Sequence, residues 1–276
     1  MNWLIFALLA AIIWGVAQVL VKKGFSESNP FFNNILATIF TLLIFVPYSL
    51  SQGVNWNLFP QIFLLAIPAM LPNYIYYYAL EKGDISLTGT IVAAYPMITV
   101  LLSILLLREL ITVPHLIGVA LVIVGAFLIS KPRKFNFKFE PWVAWGAAAA
   151  VIIGFGDFMG KVGLTKFDQY TFFLAFSLSA IPSFFITALF DNHKVIPNLK
   201  LGQLIPTLSG TFLIELGLLF LYLALASGPV SIVSPVSSAY VAITVILASI
   251  FLREKVNQQQ AIGIGATVIG IIVLGF

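Results

Sequence analysis

The sequence predicts an all-α polytopic membrane protein with ten transmembrane helices in two inverted five-helix repeats. Three observations carry this. The 276-residue chain is 61% hydrophobic and only 9% charged, with a mean hydropathy of +1.06, more apolar than a water-facing domain tolerates. Its apolar runs have the length of about 20 residues that crosses a bilayer, and ten of them can be read. The end of the fourth run, "ILLLRELI", has a counterpart 145 residues later in "SIFLREKV", as a duplicated five-span unit requires.

The runs follow in order. The first, 3–21, ends in Lys22 and Lys23 without a polar, small-residue cleavage region, so it reads as a span and not as a removable leader. The second covers 31–51 and the third 61–81, where Pro68 and Pro72 interrupt the backbone ladder just before "NYIYYY". Lys82-Gly83-Asp84 makes a tight link to the fourth run, 85–107, since Gly can stop one helix and Asp can start the next. The fifth, 111–130, completes a first unit, 1–130. A basic linker, 131–140 ("KPRKFNFKFE"), leads to a second unit, 141–276, with runs at 141–160, 169–190, 203–226, 230–252 and 257–275. Ser227-Gly228-Pro229 joins the eighth and ninth as tightly as the third and fourth are joined. No extramembrane domain fits.

A shift of 145 aligns Ala79 with Ala224, Gly83 with Gly228, Ser86 with Ser231, Tyr95 with Tyr240, Thr99 with Thr244, and Arg108-Glu109 with Arg253-Glu254. A shift of 139 aligns Gly15 with Gly154, Gln18 with Asp157, Lys22 with Lys161 and Gly24 with Gly163. Leu and Val agreements mean little in so apolar a chain, but Gly, Tyr and paired charges are harder to match by chance. Five spans per unit is odd, so the second unit crosses the membrane in the opposite sense. Arg108-Glu109 and Arg253-Glu254 should then cap equivalent helices on opposite faces, and a scaffold of this symmetry can open to either side.

These residues resemble the drug/metabolite transporter superfamily, and within it the ten-span EamA-like proteins. The resemblance covers nearly the whole chain: "AAIIWGVAQVLVKKG" at the start, the hairpins "YYYALEKGDISL" and "LYLALASGPVSI", Arg-Glu after spans four and nine, and glycine-spaced spans five and ten. Gly118 and Gly125, like Gly263 and Gly270, stand seven apart on one helix face and allow close backbone approach. In the related four-span small multidrug exporters a similar last helix makes the dimer contact, which implies that spans five and ten pack together here. Those exporters carry a proton-binding glutamate in the first helix, where this chain has Trp14 and, in its second half, Ile153. The resemblance also implies a cavity enclosed by spans one to four and six to nine.

Eleven of the 14 Lys and Arg fall on odd-numbered connections, which places those connections in the cytoplasm and both termini outside, in a cell inner or plasma membrane. Many relatives of this type have the reverse arrangement. At membrane depth an ionisable group implies a cavity or a partner. Glu215, in the middle of the eighth run with no basic residue within a turn, suits either a proton-coupling group or a counter-charge for a cationic substrate; a structural glutamate hydrogen-bonded to a neighbouring helix is the alternative. Asp157 and Lys161, four apart, share a face and can neutralise each other, and the Asp157/Gln18 asymmetry biases a cavity toward cations while Lys161 opposes it. Asn73, Tyr77 and Tyr222, then Tyr95 and Tyr240 near mid-membrane, are further candidate lining, with aromatic faces suited to organic cations or flat metabolites; Trp14 joins them through the resemblance. Each tyrosine could equally be a packed ring bonded to a backbone carbonyl. Trp3, Trp56, Trp142 and Trp145 read as interfacial belt residues.

Other classes find little support. There is no cysteine, hence no disulfide or thiolate chemistry. His115 and His193 sit at span edges, and no His, Asp and Glu spacing suggests a metal site. No activated nucleophile or phosphate loop can be read. The expectation is therefore a non-enzymatic secondary active transporter of small organic metabolites or amino acids, working by alternating access, with proton-coupled export through Glu215 as a specific version. No cofactor and no nucleic acid are expected. Partners are a small-molecule substrate, the lipid bilayer and protons, in a monomer or loose homodimer. A lipid-linked-intermediate flippase and a passive facilitator are the alternatives, with an intramembrane enzyme the weakest.

Overall fold

The computed structural model describes residues 2–24, 28–82, 92, 94–130, 141–192, 196–198, 200–251, 253 and 255–275. Among them every regular element is helical. The helices are α1 (Asn2–Gly24), α2 (Pro30–Leu50), α3 (Phe59–Lys82), α4 (Tyr95–Leu107), α5 (Val113–Ser130), α6 (Pro141–Lys166), α7 (Gln169–Leu189), α8 (Leu201–Ser227), α9 (Val230–Phe251) and α10 (Gln258–Gly275). All but α4 have a stretch long and apolar enough to span a bilayer. The start of the predicted fourth span, Gly83 and Asp84 of the first hairpin, Ser86, the 131–140 linker, His193 and Glu254 lie outside the described residues. So do the side chains of Lys22, Ala79, Trp142 and Trp145. Leu64, Leu105 and Phe185 are more than half exposed on the outer surface, as lipid-facing positions should be.

The repeat extends to helix ends that the sequence alone does not single out. Asn29 caps α2 by accepting the Phe32 N–H at 2.8 Å, and Asp168, its equivalent under the 139 shift, caps α7 by accepting the Thr171 N–H at 2.8 Å. Ala94 precedes Tyr95 at the start of α4, and its equivalent Ala239 interrupts α9 just before Tyr240. α7 is likewise broken at Ser179, because Pro182 has no N–H for the carbonyl one turn back.

Arg-Glu recurs because its arginine ends a helix in an unusual way. Arg108 has φ 54° and Arg253 φ 55°. They are the non-glycine residues with positive φ among those described. After the wide final turn Ser103–Leu107, the Glu109 N–H closes back on the Ser103 carbonyl at 3.2 Å. Glycine normally takes such a position, and a side chain there costs about 1–2 kcal/mol. The Glu109 carboxylate reaches the first two amides of α9, Val230 and Ser231, at 3.0 Å each, whereas Arg253 follows the far end of that 22-residue helix, roughly 33 Å away at 1.5 Å per residue. Arg108 and Arg253 therefore sit on opposite faces of the bundle.

The halves interlace. α1 packs along α8 while its equivalent α6 packs along α3; α1 also meets α9 as α6 meets α4, and α2 meets α8 as α7 meets α3. Glycines set two of these approaches. A Cβ at Gly154 would lie 2.6 Å from the Tyr95 carbonyl oxygen, and one at Gly15 would strike Ile243 at 2.5 Å. Thr99 then donates to the Gly154 carbonyl at 3.1 Å and Thr244 to that of Gly15 at 3.4 Å. α5 and α10 pair with each other at the side. A Cβ at Gly125 or Gly263 would stand 2.7 Å from the other residue's carbonyl oxygen, and one at Gly270 would stand 2.8 Å from that of Gly118.

Candidate functional site

Where the interlaced halves meet, a cavity of about 90 Å³ remains at mid-bundle. Ten of its lining residues are five symmetry pairs: Trp14 with Ile153, Gln18 with Asp157, Asn73 with Leu218, Tyr76 with Leu221, and Tyr95 with Tyr240; Val92 and Ile214 complete the wall. The cavity thus straddles the pseudo-two-fold axis, and its chemistry is lopsided. The first-half members of four pairs are aromatic or amide, while those opposite are aliphatic except for Asp157.

Neighbours position most of its polar groups. The Trp14 indole N–H donates to the Ile214 carbonyl at 2.9 Å, and its ring meets Tyr240 edge-on with centroids 5.8 Å apart. Gly217 makes room for that ring, since a Cβ there would touch the indole at 2.5 Å. Gln18 donates weakly to the Tyr76 hydroxyl at 3.4 Å. Asn73 donates to the Met70 carbonyl at 3.3 Å, one turn before it on the proline-interrupted α3. Asp157 accepts the Ser234 hydroxyl at 2.6 Å.

The expected neutralisation of Asp157 by Lys161 is not what the geometry uses. Lys161 turns away and donates to the Leu225 and Gly228 carbonyls at 2.7 Å each, at the end of α8. Those terminal carbonyls have no intrahelical donor and carry the negative end of the helix dipole, so an ammonium is well placed there. With Glu109 on the adjoining amides of α9, the α8–α9 turn is held from both sides.

Tyr77, Glu215 and Tyr222 stand behind the cavity wall. Successive residues on a helix are turned by about 100°, so the face of α8 that presents Ile214, Leu218 and Leu221 cannot also present Glu215. That side chain is 1% exposed and accepts the Thr41 hydroxyl at 2.7 Å, toward α2. Tyr77, one position past Tyr76, lines a smaller space with Asn33, Thr207 and Thr211. The Tyr222 ring is buried in an aromatic cluster, 4.4 Å from Phe176 and 5.9 Å from Phe172 between centroids. Of the tryptophans assigned to an interfacial belt, Trp56 is well exposed and Trp3 packs against Gly228.

Residues 1–131 and 140–276 each match the profile of the EamA-like transporter family. The chain belongs to that family. An uncharacterized protein of Methanocaldococcus jannaschii is 34% identical over 131 residues, which are 46% of this chain and 95% of that one. An uncharacterized transporter of Archaeoglobus fulgidus is 25% identical over 98% of this chain and 97% of its own length. Another, of Helicobacter pylori, is 28% identical over 83% and 79%. A protein of known crystal structure shares the fold at a TM-score of 0.78 and 17% identity, covering 98% of this chain and 95% of that one.

This EamA-like protein is accordingly a multi-pass membrane transporter of small molecules. Sequence reasoning missed Tyr76, Val92, Ile153, Ile214, Leu218 and Leu221 among its lining residues. For four of them the signal was present. Tyr76 is three positions from Asn73 on one helix face, and Ile153, Leu218 and Leu221 are the repeat partners of Trp14, Asn73 and Tyr76.

Proposed function

We propose that this EamA-like protein is a secondary active transporter that moves small organic metabolites or amino acids across the membrane by alternating access. The observation that carries the reading is the mid-bundle cavity built from five pairs of repeat-related residues. A site on the symmetry axis of an inverted repeat can be offered to either membrane face by mirror-related tilts of the surrounding helices. Trp14, Gln18, Asn73, Tyr95, Asp157 and Tyr240 contact the solute. Proton exchange through Glu215 couples the cycle: its burial on the far face of α8, against the Thr41 hydroxyl, lets protonation change how α8 packs on α2 without entering the substrate space. The membrane is the cell inner or plasma membrane, with both termini outside, as the basic connections favour.

Counterflow of labelled metabolites into liposomes tests the transport reading, and absence of counterflow for every solute that binds would overturn it. Measuring uptake across pH with Glu215→Gln alongside tests the coupling. We expect the variant to lose the pH dependence, and identical profiles for the two proteins would rule the coupling out.

A further inference from the structure

We infer that the cavity selects solutes carrying an organic cation, with Asp157 as the counter-charge and the surrounding rings as the cage. This rests on the cavity being the transport site. Sequence alone left the electrostatic sign undecided, because Lys161 lies one turn from Asp157 on the same helix. The structure resolves it: both hydrogen bonds of the Lys161 ammonium go to the Leu225 and Gly228 carbonyls at the end of α8, and Lys161 is absent from the cavity wall. Asp157 is then the one charged side chain among the described lining residues. No described arginine, lysine or histidine faces it there to receive an anion.

The aromatic groups complete the argument. The Trp14 N–H is already used by the Ile214 carbonyl, so what that residue offers is its ring, and it stands edge-on to Tyr240. Tyr76 and Tyr95 add two further rings to the wall. Several aromatic rings beside one carboxylate form a site for a compact ammonium group, which ring faces attract through their quadrupoles. A cavity of about 90 Å³ has room for several waters, and so for a small cationic head. Gln18, at the symmetry position of Asp157, is neutral, so the site carries a single negative charge and suits a monocation.

Calorimetric titration of the purified full-length protein tests this with two isosteres, choline and the neutral 3,3-dimethylbutan-1-ol, and with tetramethylammonium and acetate as further probes. Choline should bind at least about tenfold more tightly than its isostere, a difference of about 1.4 kcal/mol. The preference should disappear in Asp157→Asn and persist in Asp157→Glu. Gln18→Glu, which leaves Asp157 untouched, should tighten choline binding without tightening the neutral isostere, so the inference can be judged even if the Asp157 variants fail to fold. Equal binding of the two isosteres, preference for acetate, or an unaltered preference in Asp157→Asn or Gln18→Glu would overturn it. Choline counterflow in liposomes separates this from the transport reading. Asp157-dependent binding without any counterflow defeats transport alone, whereas counterflow of neutral solutes with no cation preference defeats the cation site alone.

Discussion

The clasp on the α8–α9 turn gives a perturbation whose size can be worked out. Glu109 holds the Val230 and Ser231 amides with one carboxylate oxygen each, both at 3.0 Å. Glu109→Gln keeps the shape but has only one acceptor oxygen, so one bond is lost and the other becomes neutral. A hydrogen bond to a charged group contributes about 1.5–3 kcal/mol and a neutral one about 0.5–1.5 kcal/mol, and an anion at a helix start adds about 0.3–1 kcal/mol. Glu109 is only partly buried, which argues for the lower ends, so the turn should lose about 2 kcal/mol, or about 30-fold in local opening. The chain has no cysteine, and Ser231 is 1% exposed. Ser231→Cys therefore gives a single buried reporter whose reaction with a maleimide in detergent measures that opening. Labelling should accelerate by about 30-fold when Glu109→Gln is added. A rate within about threefold of the parent would show that the carboxylate does not hold the turn.

Two stability predictions follow from backbone geometry. Gly125→Leu forces α5 and α10 apart and should cost about 1–3 kcal/mol, read as a fall in the thermal midpoint, whereas Gly265→Ala on the same pair, with nothing within 4 Å of the added carbon, should be neutral or slightly stabilising. Arg108→Gly removes a side chain from a left-handed position and should raise the midpoint by the equivalent of about 0.5–1 kcal/mol; a fall would mean that the arginine makes contacts outweighing its backbone strain.

The spans and their duplication were legible because bilayer thickness imposes a length on every helix and because Gly, Tyr and Arg-Glu recur against an apolar background. Six of the nine proposed contact residues line the cavity: Gln18 with Asp157 and Tyr95 with Tyr240 as repeat partners, Trp14 through the family resemblance, and Asn73 through the prolines that precede it. Rotation about α3 and α8 was not legible. α3 is aromatic on adjoining faces at Tyr76 and Tyr77, and although Thr207, Thr211 and Glu215 recur every four residues on one face of α8, that stripe shows only that they share a face, not that the cavity lies on the neighbouring face with Ile214. The destination of the Lys161 ammonium was hidden for another reason. Its partners are backbone carbonyls at Leu225 and Gly228, which every residue possesses and no sequence displays. The left-handed Arg108 and Arg253 were equally hidden, since a position that favours glycine carries arginine twice.

The pairing of Gln18 with Asp157 across the cavity bears on how much charge the site can hold. An assembly of two identical chains must present the same side chain on both sides of its axis, so a carboxylate gained there arrives in duplicate. Two units joined in one chain are free of that constraint, and here an amide stands on one side of the axis and an acid on the other.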